Sequence, residues 1–502
     1  MPAQAHLRPE PLADLDWPAD RLRELAAAAV ELWVETIDGL DGLPVGRGET
    51  EAEVRRAVLR PVPEHGLTVE ELTTHLRDVL VRHGTLVGHP RFFAYIVGSG
   101  TGPAAVADLL ASGLAPNVGG WLIAPAATEV ERAVCGWLAG ELGLPAGAGG
   151  LVVAGGAIGN LVGLKLARDR LGGESVREHG VERGSLAVYA SAEAHDTVAR
   201  AADILGLGAA AVRTVATDEE LRMRVDSLLE HVAVDRAAGV RPLAIVGTAG
   251  TTGTGSIDPL PELADVCSRE NAWFHVDAAY GGPAVLAPDL RPLLAGIERA
   301  DSVTVDAHKW LYAPTAAGLV LVRDELQLAD SFALDASYVY EDRERTGRGM
   351  NTGYMGPAFS RSFDALKIWL TMLAFGRDAV ARRISHDAEL ARWLGVRVEQ
   401  HPDFELATPV RLSICCFRYR PTDLPPGDRA DAYVDELNRM LLTELQLDGR
   451  VFPSNAVVHG RFVLRACIVN VRTEADDLEA LVDVAAELGA RLDREHRPRE
   501  LR

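Results

Sequence analysis

The chain has 502 residues, 48% of them hydrophobic, and a formal net charge of -21. That length exceeds one simple core and predicts two or three structural units. The negative balance argues against nucleic acid or an anionic membrane surface as a partner. The five cysteines, Cys135, Cys267, Cys415, Cys416 and Cys467, form no CxxC pair. Neither a disulfide framework nor a metal site is therefore expected, and a reducing, cytoplasmic setting suits the chain. The opening residues MPAQAHLRPEPLADLDWP lack the basic-then-apolar pattern of a signal peptide, and no apolar run is long enough to span a bilayer.

Residues 1–89 read as an N-terminal helical segment. RLRELAAAAVELWVETI and TVEELTTHLRDVLVRH carry apolar residues at helical spacing, and Thr68 with Glu71 makes a capping box for the second. So short a segment has little core of its own and is expected to pack on a partner subunit. Residues 90–383 alternate strand-like and helix-like runs. GLVVAG, SLAVYAS, PLAIVGTAG, WFHVDAAY, DSVTVDA and GLVLVR read as strands, with NLVGLKLARDR and DEELRMRVDSLLEHVAVDRAAG among the helices. This predicts a large α/β domain with a mainly parallel sheet, and ligands beyond the carboxyl ends of its strands. Asp335 to Gly356 is polar, charged and glycine-containing, and is expected to form a mobile loop. Residues 384–502 predict a small α+β domain: helix ISHDAELARWLGVRVEQH, strands RLSICCFRY and RFVLRACIVN, and a last helix DDLEALVDVAAELGARLDRE.

Chemistry concentrates at strand ends. In SVTVDAHKWLYAP a strand ends at Asp306, and Lys309 follows between apolar neighbours. That setting predicts burial, which lowers the pKa of an amine and makes it nucleophilic. In WFHVDAAYGG, Asp277 ends another strand. A lysine paired with such a carboxylate suits pyridoxal 5'-phosphate (PLP), whose pyridine nitrogen needs a carboxylate partner. The small Ala279 beside it leaves room for a flat ring. AGGAIGN, ending at Asn160, lies between a strand and a helix and offers free N–H groups to a phosphate. His195, in SAEAHDTVARAA, follows a strand and opens a helix. The glycine turn and the histidine are ordinary features when each stands alone.

In order and content these segments resemble the group II PLP-dependent amino acid decarboxylases, of aromatic-L-amino-acid decarboxylase type. The likeness runs from about Pro11 to Ala485 and includes HPRFFAY, APAATEVE, HVDAAYGG, DAHKW and FVLRACI. It implies a PLP-dependent transferase-like fold of the aspartate aminotransferase type (fold type I), and a homodimer with its active sites between subunits. It implies Lys309 as the cofactor-carrying lysine, Asp277 as the pyridine-nitrogen partner and Ala279 beside the ring. His195 would stack on the ring and help place the substrate carboxylate, with Thr252 near the cofactor. Ala157 and Ile158 would form the phosphate turn, with Asp306 and His308 close to it. Tyr338 would protonate the substrate carbon. Tyr95, Ile96, Gly98 and Gly119 would line the substrate pocket, with small residues, Gly88 among them, where aromatic-specific relatives carry larger or different groups. Ile158 stands where many relatives have a hydroxyl, so backbone N–H groups would carry more of the phosphate. Asp306 stands in place of a neutral amide, and a carboxylate near phosphate is tolerable only if protonated, bridged or turned away. The implied reaction is decarboxylation of an L-amino acid to its amine, with tryptophan, tyrosine or phenylalanine favoured. A decarboxylating aldehyde synthase and a decarboxylase of a non-aromatic amino acid are the alternatives.

Overall fold

The computed structural model describes residues 15–333 and 349–501. The N-terminal helices are α1 (Ala19–Asp38), α2 (Glu51–Val58) and α3 (Val69–Leu76). The capping box expected at Thr68 is present, with the Thr68 side chain accepting from Glu71 N and the Glu71 carboxylate accepting from Thr68 N. Neither α1 nor α2 has a fully buried residue, so their apolar faces pack little within this chain. Two further helices, α4 (Gly102–Leu114) and α5 (Pro125–Glu141), lead into the large domain.

The large domain is built on a seven-stranded sheet of order β1-β7-β6-β5-β4-β2-β3. The strands are β1 (Gly149–Val153), β2 (Leu186–Ser191), β3 (Val212–Val215), β4 (Arg241–Thr248), β5 (Trp273–Asp277), β6 (Ser302–Asp306) and β7 (Gly318–Val322). Only β7 runs against the rest, pairing antiparallel with both β1 and β6. Apart from the edge strand β3 and the first residue of β4, every strand residue is buried. That burial explains why the runs are continuously apolar rather than alternating. Helix α6 (Gly156–His179) follows β1 and lies close against the sheet. A Cβ on Gly159 would stand 2.6 Å from Thr304, and one on Gly163 2.5 Å from His275. Being four residues apart, these glycines share one helix face, and only a side chain without a Cβ permits so near an approach. Helices α7 (Thr197–Ile204), α8 (Val225–Ala237) and α9 (Leu260–Glu270) complete the middle of the domain. The expected helix from Asp218 begins only at Val225. Before it the chain turns, because the Asp218 carboxylate accepts from Glu220 N and Arg222 N, and Leu221 adopts φ 60°.

A one-turn helix α10 (Ala307–Trp310) follows β6, and α11 (Leu326–Phe332) follows β7. The long helix α12 (Ala365–Gln400) then crosses from the large domain to the small one, with a break at Gly376, φ 74°. The division drawn at 383/384 falls inside this helix. The small domain is a four-stranded antiparallel sheet, β10-β11-β9-β8, covered by α13 (Asp428–Asp448) and α14 (Ala475–His496). Its strands are β8 (Phe404–Leu406), β9 (Ile414–Tyr419), β10 (Ser454–Val458) and β11 (Arg461–Cys467). Helix α13 is not among the elements expected from the sequence, although its buried face, with Ala430, Tyr433, Val434, Leu437, Leu441 and Leu445, follows helical spacing.

Candidate active site

Parallel strands deliver their carboxyl ends to one edge of the sheet. There a cavity of about 200 Å³ is lined by residues from the ends of β2, β4, β5 and β6 and from the turn after β1, among them His195, Thr252, Asp277, Ala279, Asp306 and Lys309. Residues distant in sequence therefore share one site because their strands are neighbours in the sheet. Gly156 and Ala157 close the cavity where α6 begins. Among the described residues no side chain caps that helix N-terminus, so its first N–H groups remain for an anion. Thr248, Thr197, Gly250 and Tyr280 also line the cavity; the sequence reading assigns them no role.

The carboxylate of Asp277 accepts from Ala279 N at 3.1 Å and from Asn160 Nδ2 at 2.8 Å. Asn160 is buried on α6 and is a hub. Its Nδ2 also donates to Thr197 Oγ1 at 3.0 Å, and its Oδ1 faces His275 Nε2 at 3.0 Å. Burial lowers the His275 pKa to about 4, the nearby Asp277 opposing the shift, so the ring is neutral at ordinary pH. The network assigns the ring proton to Nε2, donating to Asn160, while Nδ1 takes the Ser302 hydroxyl at 2.8 Å. Thr197 carries the chain onward to His195, whose Nδ1 lies 3.0 Å from Thr197 Oγ1 and accepts from Thr197 N at 3.2 Å. With Nδ1 accepting, Nε2 is the nitrogen of His195 left to donate.

Lys309 is only partly buried, with 19% of its side chain exposed, and its Nζ lies 3.0 Å from Asp306 Oδ2. The burial expected from its apolar neighbours belongs to Trp310, which is fully enclosed. The helix turn points the lysine toward the cavity and the tryptophan into the core. Lys309 is backed from behind by Gly98, whose N donates to His308 O at 2.9 Å and whose Cβ would stand 2.5 Å from Lys309 O. Gly98 thus supports the lysine segment and does not line this cavity. His308 Nδ1 accepts from Ala317 N at 3.2 Å, and burial lowers its pKa, with Asp306 opposing.

Other expected residues stand elsewhere. Ile158 faces a separate cleft with Leu151 and Pro357, and its N–H is already bonded to Gly155 O, so the turn offers Gly156 and Ala157 to an anion instead. Gly119 packs against the Phe359 backbone. Ile96 is buried in the core, while Tyr95 is 63% exposed. Arg465, buried on β11, joins the Tyr95 segment to the residue after Thr252 by donating to Tyr95 O at 3.0 Å and to Gly253 O at 3.1 Å. Sequence reading missed it, although it lies within FVLRACI. Tyr338 lies outside the described residues, as do residues 335–348 of the loop segment.

The sequence pattern of the pyridoxal-dependent decarboxylase conserved domain matches residues 53–420. The chain belongs to that family. This decarboxylase is 33% identical over 465 residues to the aromatic-L-amino-acid decarboxylase of Bacillus atrophaeus, covering 93% of this chain and 95% of the relative. It is 32% identical to the L-2,4-diaminobutyrate decarboxylase of Rhizobium meliloti (strain 1021), covering 87% and 86%. The crystal structure of Oryza sativa TDC with PLP and tryptamine superposes with a TM-score of 0.88 at 28% identity, covering 95% of this chain and 99% of that one. The enzyme is a PLP-dependent amino acid decarboxylase of fold type I. The cavity fits that cofactor. It presents an amine, a hydrogen-bonded carboxylate, the small Ala279 and a helix N-terminus beside a glycine turn. Two buried oxygens of lining residues, Thr248 Oγ1 and Asp306 Oδ1, have no hydrogen-bond partner among the described residues.

Proposed function

We propose that the enzyme converts an aromatic L-amino acid to its amine and CO2, with Lys309 carrying PLP. The observation that carries this reading is the convergence of Lys309, Asp277, His195 and the Gly156–Ala157 turn on one cavity. PLP, when bound, supplies an electron sink for the pair left as the Cα–carboxylate bond breaks. Lys309 would hold the cofactor at its aldehyde, and the turn would hold its phosphate. Asp277, held by Asn160 and Ala279 N, would keep a proton on the pyridine nitrogen. Ala279 and His195 would bracket the ring, and the Nε2–H of His195 would orient the substrate carboxylate. Tyr338 would hold the proton delivered to Cα. The aromatic preference rests on the overall likeness to the Bacillus atrophaeus enzyme. A non-aromatic substrate is the second reading, favoured by the nearly equal likeness to the diaminobutyrate enzyme. The enzyme would act as a homodimer.

The purified protein should be yellow, and borohydride should fix the chromophore to the peptide containing Lys309. A panel of L-amino acids assayed for CO2, amine and peroxide should show fastest turnover on an aromatic substrate, with amine matching CO2. Faster turnover of a basic or acidic amino acid would overturn the aromatic assignment, and peroxide with aldehyde would point to an aldehyde synthase.

A further inference from the structure

Tyr280 follows Ala279 just past the end of β5, lines the cavity and is buried. Its ring stacks on Trp310, with centroids 5.2 Å apart and planes 21° apart. Trp310 shares the one-turn helix α10 with Lys309. Neighbours on one helical turn rotate together, so the placement of the tryptophan sets the direction of the lysine. The turn leading to Thr252 packs on the same ring. A Cβ on Gly250, φ 100°, would stand 2.9 Å from Tyr280 Cδ1.

The phenol reaches the small domain. Ser413 N, just ahead of β9, donates to Tyr280 Oη at 2.9 Å, and Ser413 Oγ lies 2.6 Å from the same oxygen. Burial pushes the phenol pKa well above its usual value, so the group keeps its proton. With the oxygen taking the Ser413 N–H, that proton goes to Ser413 Oγ. Both residues are buried, and a buried donor that loses its partner bears the full cost of desolvation. Ser413 O accepts from Ile468 N at 2.9 Å, just past β11, which anchors Ser413 in the small sheet. One side chain thus touches the lysine segment, the cavity wall and the small domain. An interior packed to crystal density transmits a displacement rather than absorbing it.

We propose that Tyr280 is a positioning residue: through Ser413 it ties the seating of the small domain to the direction of Lys309. This rests on Lys309 being the cofactor lysine.

The test compares Tyr280→Phe, which keeps the stack and loses the hydroxyl, with Ser413→Ala, which keeps the backbone donor and loses the acceptor. In the full-length protein loaded with PLP, each should lower kcat about tenfold and leave KM within about twofold, because Tyr280 acts through Lys309 and not on the substrate. Each should also weaken the visible circular dichroism of bound PLP, which reports how the lysine holds it. The double variant should fall no further than Tyr280→Phe, since both changes cut one bond. Should Tyr280→Phe fold poorly, the weakened cofactor signal of Ser413→Ala decides alone. A wild-type cofactor signal and kcat, with only the melting temperature lowered, would overturn the inference. So would additive losses in the double variant, or a raised KM at unchanged kcat. Failure of borohydride to label Lys309 would instead overturn the cofactor assignment on which the inference rests.

Discussion

Asn160 uses its whole amide. Both Nδ2 protons and the Oδ1 are engaged, by Asp277, Thr197 and His275. It thereby ties the carboxylate expected under the cofactor nitrogen to the histidine expected over the ring. Burial keeps His275 neutral, so Asp277 meets no competing cation from that side. Asn160→Ala would leave Asp277 with one backbone donor and strand the His275 N–H in the core. A hydrogen bond to a charged group is worth about 1.5–3 kcal/mol. PLP affinity should therefore fall on the order of tenfold or more, with kcat, while the circular dichroism spectrum stays native. An absorbance titration giving wild-type affinity would sink this assignment.

Among the elements, α12 joins the two domains and also holds the lysine segment. Its Asp387 accepts from Trp310 Nε1 at 2.9 Å and Tyr312 Oη at 2.7 Å, and pairs with Arg383 at 2.8 Å. Arg383 continues to the carbonyls of Asn470 and Thr473 ahead of α14. Burial raises the Asp387 pKa from 3.8 to about 6, with Arg383 opposing. Between those values the folded chain binds more protons than the unfolded one. The contribution to stability is therefore fully present below the unfolded pKa and is lost as pH rises through about 6. At most it amounts to about 3 kcal/mol. Asp387→Asn does not titrate. The melting temperature of wild type minus that of the variant should fall between about pH 4 and about pH 6, then level off. A difference independent of pH would refute the assignment.

For the molecule as a whole, the apolar surface is unevenly distributed. On α4, Leu109, Leu110 and Leu114 are exposed, and on α12 Leu373 and Phe375 are exposed. Helix α1 has apolar residues but no fully buried one. Apolar area left on packed elements is the mark of an association surface, and a two-fold dimer is the commonest closed solution. Light scattering should give about twice the 53.8 kDa chain mass. Leu110→Glu combined with Leu114→Glu should yield monomers with little activity. A fully active wild-type monomer at the assay concentration would refute the dimer.

Strands β1, β2, β4, β5, β6 and β7 were legible because strands buried on both faces are written as unbroken apolar runs bounded by glycine or polar residues. The edge strand β3, half exposed, carries no such run. Lys309, Asp277, His195, Ala279, Ala157, Asp306 and Thr252 could be named from short motifs at strand ends, and all line one cavity. What the motifs could not carry is direction and partnership. Lys309 and Trp310 are adjacent in sequence, yet a helical turn sends one into the cavity and the other into the core. Ile158 sits inside the glycine motif, yet the same turn points its side chain to another cleft. The bonds of Asn160 to Asp277, of Arg465 to Tyr95 and of Asp387 to Trp310 join residues 117, 370 and 77 positions apart. No local pattern encodes such pairs, because each depends on which strands and helices become neighbours. Sequence alone therefore determined the family, the cofactor and the residue types at the strand ends. Only the tertiary structure decided which of them meet, and that Asp306 is held by Lys309.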